Sequence, residues 1–129
     1  MILVDTSVWI DFWRGRGYTD SLAGLIEDQL VLTHDLVIAE LAVGNLGPAR
    51  VRDEILAGLD VLPRTPVADL REVLTLVRTE RLDGQGLGGM DVHLLASARL
   101  AAASLWTADK KLAAAAEVLG MRYRWKSWF

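Results

Sequence analysis

Asp5, Glu40, Asp91 and Asp109 are the residues whose types and positions could do chemistry together. Asp5 closes the apolar run Met1-Ile2-Leu3-Val4 and is followed at once by Thr6, Ser7 and a helical pattern. Asp109 follows a second such run, Ser104-Leu105-Trp106-Thr107, and opens another helical pattern. Glu40 and Asp91 fall within helical patterns, each beside the apolar stripe and not opposite it. A carboxylate on an apolar face is costly unless it is paired or bound to a cation. Four of them, with no thiol and no well-placed imidazole among them, suit a hard divalent metal such as Mg²⁺ or Mn²⁺. The set points to a metal-dependent enzyme.

Each acid also has a plain structural explanation. Asp5 and Asp109 precede helices, where aspartate caps free N–H groups and complements the dipole. Asp91 lies in a first turn, and Glu40 could reach solvent on its long stem. Their conjunction favours chemistry: two strand-end aspartates, plus two acids on sheet-facing stripes. Asp91, Leu94, Leu95 and Ala98 share one helical face at i, i+3, i+4 and i+7, as do Val37, Glu40, Leu41 and Gly44. His93 lies two residues past Asp91, about 200° around the helix, and so points away. His34, after the second strand, is nearer the site but is read as a minor candidate.

Such acids meet only if the surrounding elements bring them together. Strand-length apolar runs alternate with helical patterns throughout, which implies parallel strands joined by crossover helices. Strands are expected near Ile2–Val4, Leu30–Thr33, Val61–Leu62, Ser104–Thr107 and Met121–Arg124. Helices are expected near Ser7–Trp13, Ser21–Asp28, Leu36–Val43, Ala49–Ala57, Val67–Leu82, Asp91–Ala103 and Lys110–Leu119. Pro48, Pro63 and Pro66 fall at element edges, as a fixed φ and a missing donor require. Open parallel sheets bind ligands beyond the carboxyl ends of their strands, where strand order reverses. Asp5 and Asp109 would then share a crevice.

The bulk composition fits one domain spanning residues 1–129. Hydrophobic residues make up 52% of the chain, enough for a core, and no cysteine is present for disulfides or zinc-thiolate sites. No apolar stretch approaches the roughly 20 residues of a membrane span, and Asp5 interrupts any leader-like run, so a cytoplasmic location is expected. Net charge is −3 from 14 basic and 17 acidic residues, which decides neither for nor against a nucleic-acid partner. Gly84 to Gly89 form a glycine-rich loop leading into Asp91. The tail Arg122-Tyr123-Arg124-Trp125-Lys126-Ser127-Trp128-Phe129 interleaves cations with aromatics, suited either to base stacking or, the reading preferred here, to packing. Arg14 and Arg16 could touch phosphates or simply line a solvated turn.

Met1-Ile2-Leu3-Val4-Asp5-Thr6-Ser7-Val8-Trp9-Ile10-Asp11 resembles the opening of PIN-domain ribonucleases, particularly VapC-type toxins of bacterial toxin–antitoxin pairs. Val37-Ile38-Ala39-Glu40-Leu41 resembles the family's second acidic motif, and Asp91-Val92-His93-Leu94-Leu95-Ala96-Ser97-Ala98 its third. Leu105-Trp106-Thr107-Ala108-Asp109 resembles the fourth, a strand closing in Thr-x-Asp. The resemblance implies a three-layer α/β/α sandwich with a parallel, roughly five-stranded sheet. It further implies an endoribonuclease with a Mg²⁺ or Mn²⁺ site formed by Asp5, Glu40, Asp91 and Asp109, supported by the hydroxyls of Ser7 and Thr107. RNA as substrate, a VapB-like protein antitoxin and a homodimer are implied with it. Some relatives carry a further acid where this chain has Lys111, so the metal count stays open at one or two.

Two other classes compete. A receiver-like phosphoacceptor module would want an acidic pair after its first strand, where this chain has Thr6 and Ser7. A haloacid-dehalogenase-type phosphatase needs Asp-x-Asp, and position 7 is Ser. A catalytically silent α/β binding module also fits the composition.

Overall fold

A short apolar run without alternation is the pattern of a strand covered on both faces. In the computed structural model, which describes residues 1–125, Ile2–Val4 forms such a strand, β1, buried at every position. It lies in the middle of a parallel sheet. On one side β2 (Val31–Leu32) sets Val31 opposite Ile2. On the other, β3 (Ser104–Trp106) sets Ser104 opposite Ile2 and Trp106 opposite Val4.

Single bridges extend this order at both edges, Thr33 with Arg64 beyond β2 and Arg122 with Leu105 beyond β3. The expected five strands are therefore three regular ones plus two bridged segments. Val61–Leu62 is not a strand. Helix α4 (Ala49–Asp60) runs up to it, and Val61 caps that helix while remaining 81% exposed. Pairing starts one residue later, because Pro63 lacks an N–H and joins the sheet through its carbonyl, accepting from Thr33 N at 2.9 Å. Of the aromatic tail, Lys126 to Phe129 lie outside the described residues.

The remaining helices are α1 (Thr6–Trp13), α2 (Leu22–Glu27), α3 (Asp35–Val43), α5 (Leu70–Glu80), α6 (Gly89–Leu100) and α7 (Lys110–Val118), with a 3₁₀ turn at Gly17–Thr19. They flank the sheet in a three-layer α/β/α arrangement, with α3 packed on both α1 and α4 and α5 packed on α6. Helix α5 starts later than its apolar pattern suggests, because Asp69 and Glu72 form a reciprocal capping box that fixes the first turn. From β1 the chain passes to β2 and outward to the Arg64 segment, then returns through α5 and α6 to β3 on the other side of β1. Strand order therefore reverses between β1 and β3, which puts the ligand crevice beyond their carboxyl ends.

The core gathers Leu3, Val4, Val8, Leu22, Leu41, Leu94, Leu95, Leu105, Trp106 and Leu112. One polar clamp is buried with it. His34 caps α3 by accepting the Leu36 N–H at Nδ1 (2.9 Å), which assigns the ring proton to Nε2, 2.9 Å from Ser97 Oγ. Ser97 Oγ also accepts from Ala68 N at 3.1 Å, joining α6 to the segment before α5. Burial holds the His34 pKa below the usual histidine value, with nearby His93 acting in the same direction and Asp35 opposing. His34 is thus a structural residue.

Candidate active site

Asp5 continues the β1 ladder, its N–H donating to Trp106 O at 2.9 Å, before the chain turns into α1. The turn buries its carboxylate, leaving the residue 7% exposed. Oδ1 accepts from Thr6 N at 2.8 Å, and Oδ2 accepts from Ser7 Oγ at 2.9 Å and Thr107 Oγ1 at 2.7 Å. Burial raises the Asp5 pKa from its ordinary 3.8; the hydrogen bonds from Thr107, Ser7 and Thr6 oppose this, and the charge of Glu40 adds to it. The hydrogen bonds only partly offset the cost of burying this charge.

The two hydroxyls do more than hold Asp5. Thr107 Oγ1 also accepts from Asp109 N at 3.1 Å, and Ser7 Oγ accepts from Ala108 N at 3.0 Å. The end of β3 is thereby stitched to the end of β1. Asp109 then caps α7, its Oδ1 accepting from Leu112 N at 2.8 Å, and its side chain stands at the surface. Glu40 is exposed on α3, at one end of a groove of about 450 Å³ with an apolar wall of Ile10, Trp13, Leu41, Leu46 and Ile55. Asp91, half-buried in the first turn of α6, accepts from Gly88 N at 2.9 Å.

Hydrogen bonds thus join Asp5 to the Asp109 backbone, and Glu40 acts on Asp5 through its charge. Asp91 makes its hydrogen bond within its own helix terminus. Among the described residues, no three His, Cys, Asp or Glu side chains are gathered closely enough to form a ready-made metal cage. The donor chemistry nevertheless fits a hard cation. Asp5, Asp91 and Asp109 each commit one oxygen to a backbone N–H, which orients the carboxylate, and among the described residues the other oxygen of Asp91 and of Asp109 has no hydrogen-bond partner.

Lys111 follows this cluster at the start of α7. Its Nζ lies 2.8 Å from where a Cβ on Gly86 would stand, and Gly86 has φ +77°. The positive φ favours glycine at position 86, and the Lys111 side chain seats the loop leading to Asp91 against α7. The sequence reading passed over one pair at the edge of the site. The Tyr18 hydroxyl donates to the Asp11 carboxylate, and burial together with Asp11 raises the Tyr18 pKa well above its ordinary value. Asp5 adds to that shift, which places Tyr18 near the acidic residues. Helix α1 ends at Trp13 and Tyr18 lies in the separate 3₁₀ turn, so the helical period does not link positions 11 and 18 and no spacing signal announces the pair.

The family model described as the PIN domain matches residues 2–118. The chain belongs to the PIN domain family. VapC-type members are among its relatives. It is 45% identical over 122 residues to the protein named Ribonuclease VapC32 in Mycobacterium tuberculosis, covering 94% of each chain, both in strain CDC 1551 / Oshkosh and in strain ATCC 25618 / H37Rv. The fold is similar to that in the crystal structure of FitAcB from Neisseria gonorrhoeae, with TM-score 0.65 and 20% identity over 91% of this chain and 94% of that one. The receiver-like alternative falls with this assignment. No helix among the described residues of this PIN domain is long and apolar enough to cross a membrane.

Proposed function

We propose that this PIN domain is a Mg²⁺- or Mn²⁺-dependent endoribonuclease and the toxin of a VapBC-type toxin–antitoxin pair. The observation that carries the reading is the Asp5 carboxylate, 7% exposed at the strand-order reversal and held by Ser7 and by Thr107 from the neighbouring strand. The 45% identity to Ribonuclease VapC32 supports the choice of RNA as substrate. Asp5, Asp91 and Asp109 would hold the cation, with Glu40 beside them contributing its charge at Asp5. A divalent cation held there supplies charge neutralisation at phosphorus and a water of lowered pKa. Glu40 orients the attacking water and takes its proton. Water adds its oxygen to phosphorus as the bond to the leaving ribose oxygen breaks, and that oxygen takes up a proton. Ser7 and Thr107 keep Asp5 in one rotamer throughout.

The groove beside Glu40 suits the antitoxin. An apolar segment lying on Ile10, Trp13 and Leu46 brings a basic side chain to Glu40 and Asp5, where it gains from unpaired negative charge and competes with the cation. A homodimer through the exposed Leu70, Leu74 and Leu100 completes the cytoplasmic assembly. The deciding experiment is incubation of the purified protein with RNA and Mn²⁺, with and without EDTA, alongside Asp5→Asn. Metal-dependent cleavage that Asp5→Asn abolishes is the expected result. Cleavage that persists in EDTA or in Asp5→Asn overturns the assignment.

A further inference from the structure

Thr107 belongs to two sites. Its hydroxyl holds Asp5, and the same residue walls a cavity of about 220 Å³ whose other walls are Trp106, Arg122, Tyr123, Arg124 and Trp125. Tyr123 packs against buried Trp106 in a tilted contact at 4.9 Å and 47°, and Tyr18 lies 5.9 Å from Trp125. Tyr123 is packed, as the sequence reading preferred for the tail, but Trp125 remains 42% exposed. Arg124 Nη2 and Arg122 Nη1 both face Glu117, at 2.6 and 3.6 Å. Two guanidiniums against one carboxylate leave a positive charge in excess at the rim.

The volume is below the roughly 300–1,000 Å³ of pockets for drug-sized ligands, so it suits one flat ring system. Aromatic walls accept the face of any base, and surplus guanidinium charge suits the phosphate next to it. RNA is recognised through bases that are unstacked and splayed out, and such a recess would take one. The continuity through Thr107 puts it next to the acidic residues.

We propose that this cavity is the subsite for an unpaired nucleobase flanking the scissile phosphodiester. The base stacks on Trp125 and Tyr123, and its phosphate lies against Arg122 and Arg124. This inference rests on the ribonuclease reading and extends it to how the strand is held.

The test has two arms. In EDTA, the wild type is titrated with a short single-stranded RNA and with the same strand made abasic. The base-bearing strand is expected to bind about tenfold more tightly, and Trp125→Ala to remove that preference while Trp125→Phe largely restores it. With Mn²⁺, Trp125→Ala is expected to raise KM about tenfold, with a smaller change in kcat, and to shift the pattern of cut sites. Equal affinity of the wild type for the two strands overturns the subsite, as does an unchanged KM and cut pattern in Trp125→Ala. A Trp125→Ala variant that changes only self-association or antitoxin binding assigns the surface to a protein partner and overturns it too. Absence of any metal-dependent cleavage by the wild type overturns the ribonuclease reading, and the subsite with it.

Discussion

Asp5→Asn and Asp5→Ala remove the same charge but leave different hydrogen bonding behind. Asparagine presents an oxygen to Thr6 N and an amide NH₂ toward Ser7 and Thr107. Both hydroxyls have a free lone pair to accept it, because each takes one backbone N–H, from Ala108 and Asp109 respectively. Asparagine also lifts the desolvation that disfavours the buried ionised group. Metal-free Asp5→Asn should therefore melt at or above the wild type at pH 7. Alanine leaves the buried Thr6 N–H without a partner and opens a small cavity, a loss of about 2–4 kcal/mol. At roughly 4 °C per kcal/mol, Tm should fall by about 8–16 °C. The pH dependence follows from the direction of the shift. The Asp5 pKa is raised in the folded state, so its contribution favours folding below the ordinary 3.8 and is lost as pH rises through the raised value. The advantage of Asp5→Asn over the wild type should accordingly vanish at pH 3.8 and below. Thermal unfolding followed by circular dichroism in EDTA, at several pH values, measures all three quantities. An Asp5→Asn variant that melts well below the wild type at pH 7 would refute the account of Asp5 as a buried charge whose hydrogen bonds only partly offset its desolvation.

Adding Mn²⁺ to the EDTA-treated protein should raise stability by about 2.7 kcal/mol at a hundredfold excess over Kd, and Asp109→Asn should blunt that gain while still capping α7; identical calorimetric shifts in both proteins would remove Asp109 from the ligand set. Ser97→Ala strips the acceptor from His34 Nε2–H and Ala68 N–H together, so urea unfolding should register a loss of about 2–4 kcal/mol. Folding keeps His34 neutral, so stability present above the ordinary 6.5 should decline as pH falls through the lowered folded value, and His34→Asn should flatten that slope. Asp69→Ala breaks the α5 capping box far from the acids and should lower stability by about 1 kcal/mol without altering RNA cleavage.

The parts of the fold legible in the sequence are those where two signals coincide. Asp5 and Asp109 were readable because each ends a buried parallel strand and begins a helix, and the capping hydrogen bonds to Thr6 and Leu112 keep them there. The edge strands were legible only as positions. Each pairs through one bridge, too little regular structure to impose a side-chain period, and ahead of Val61–Leu62 the burial of Leu59 in the core carries α4 past the expected boundary despite Gly58 and Asp60. From sequence alone His34 is only a minor candidate near the site. Its partner, Ser97, lies 63 residues away, and no local pattern encodes such a contact. Glu40 was found on its helical stripe, but its influence on Asp5 depends on how α3 sits against α1, which only packing decides.

The hydrogen bond between Thr107 and Asp5 spans 102 positions of sequence. During synthesis at roughly 5–20 residues per second, the first partner waits about 5–20 s for the second to be made. The central strand β1 is made before its neighbour β3 and must wait for it. No nascent or truncated product lacking β3 contains the assembled acidic site. On the proposed ribonuclease reading, the chain cannot cut RNA until β3 has been made, a safeguard set by strand order alone.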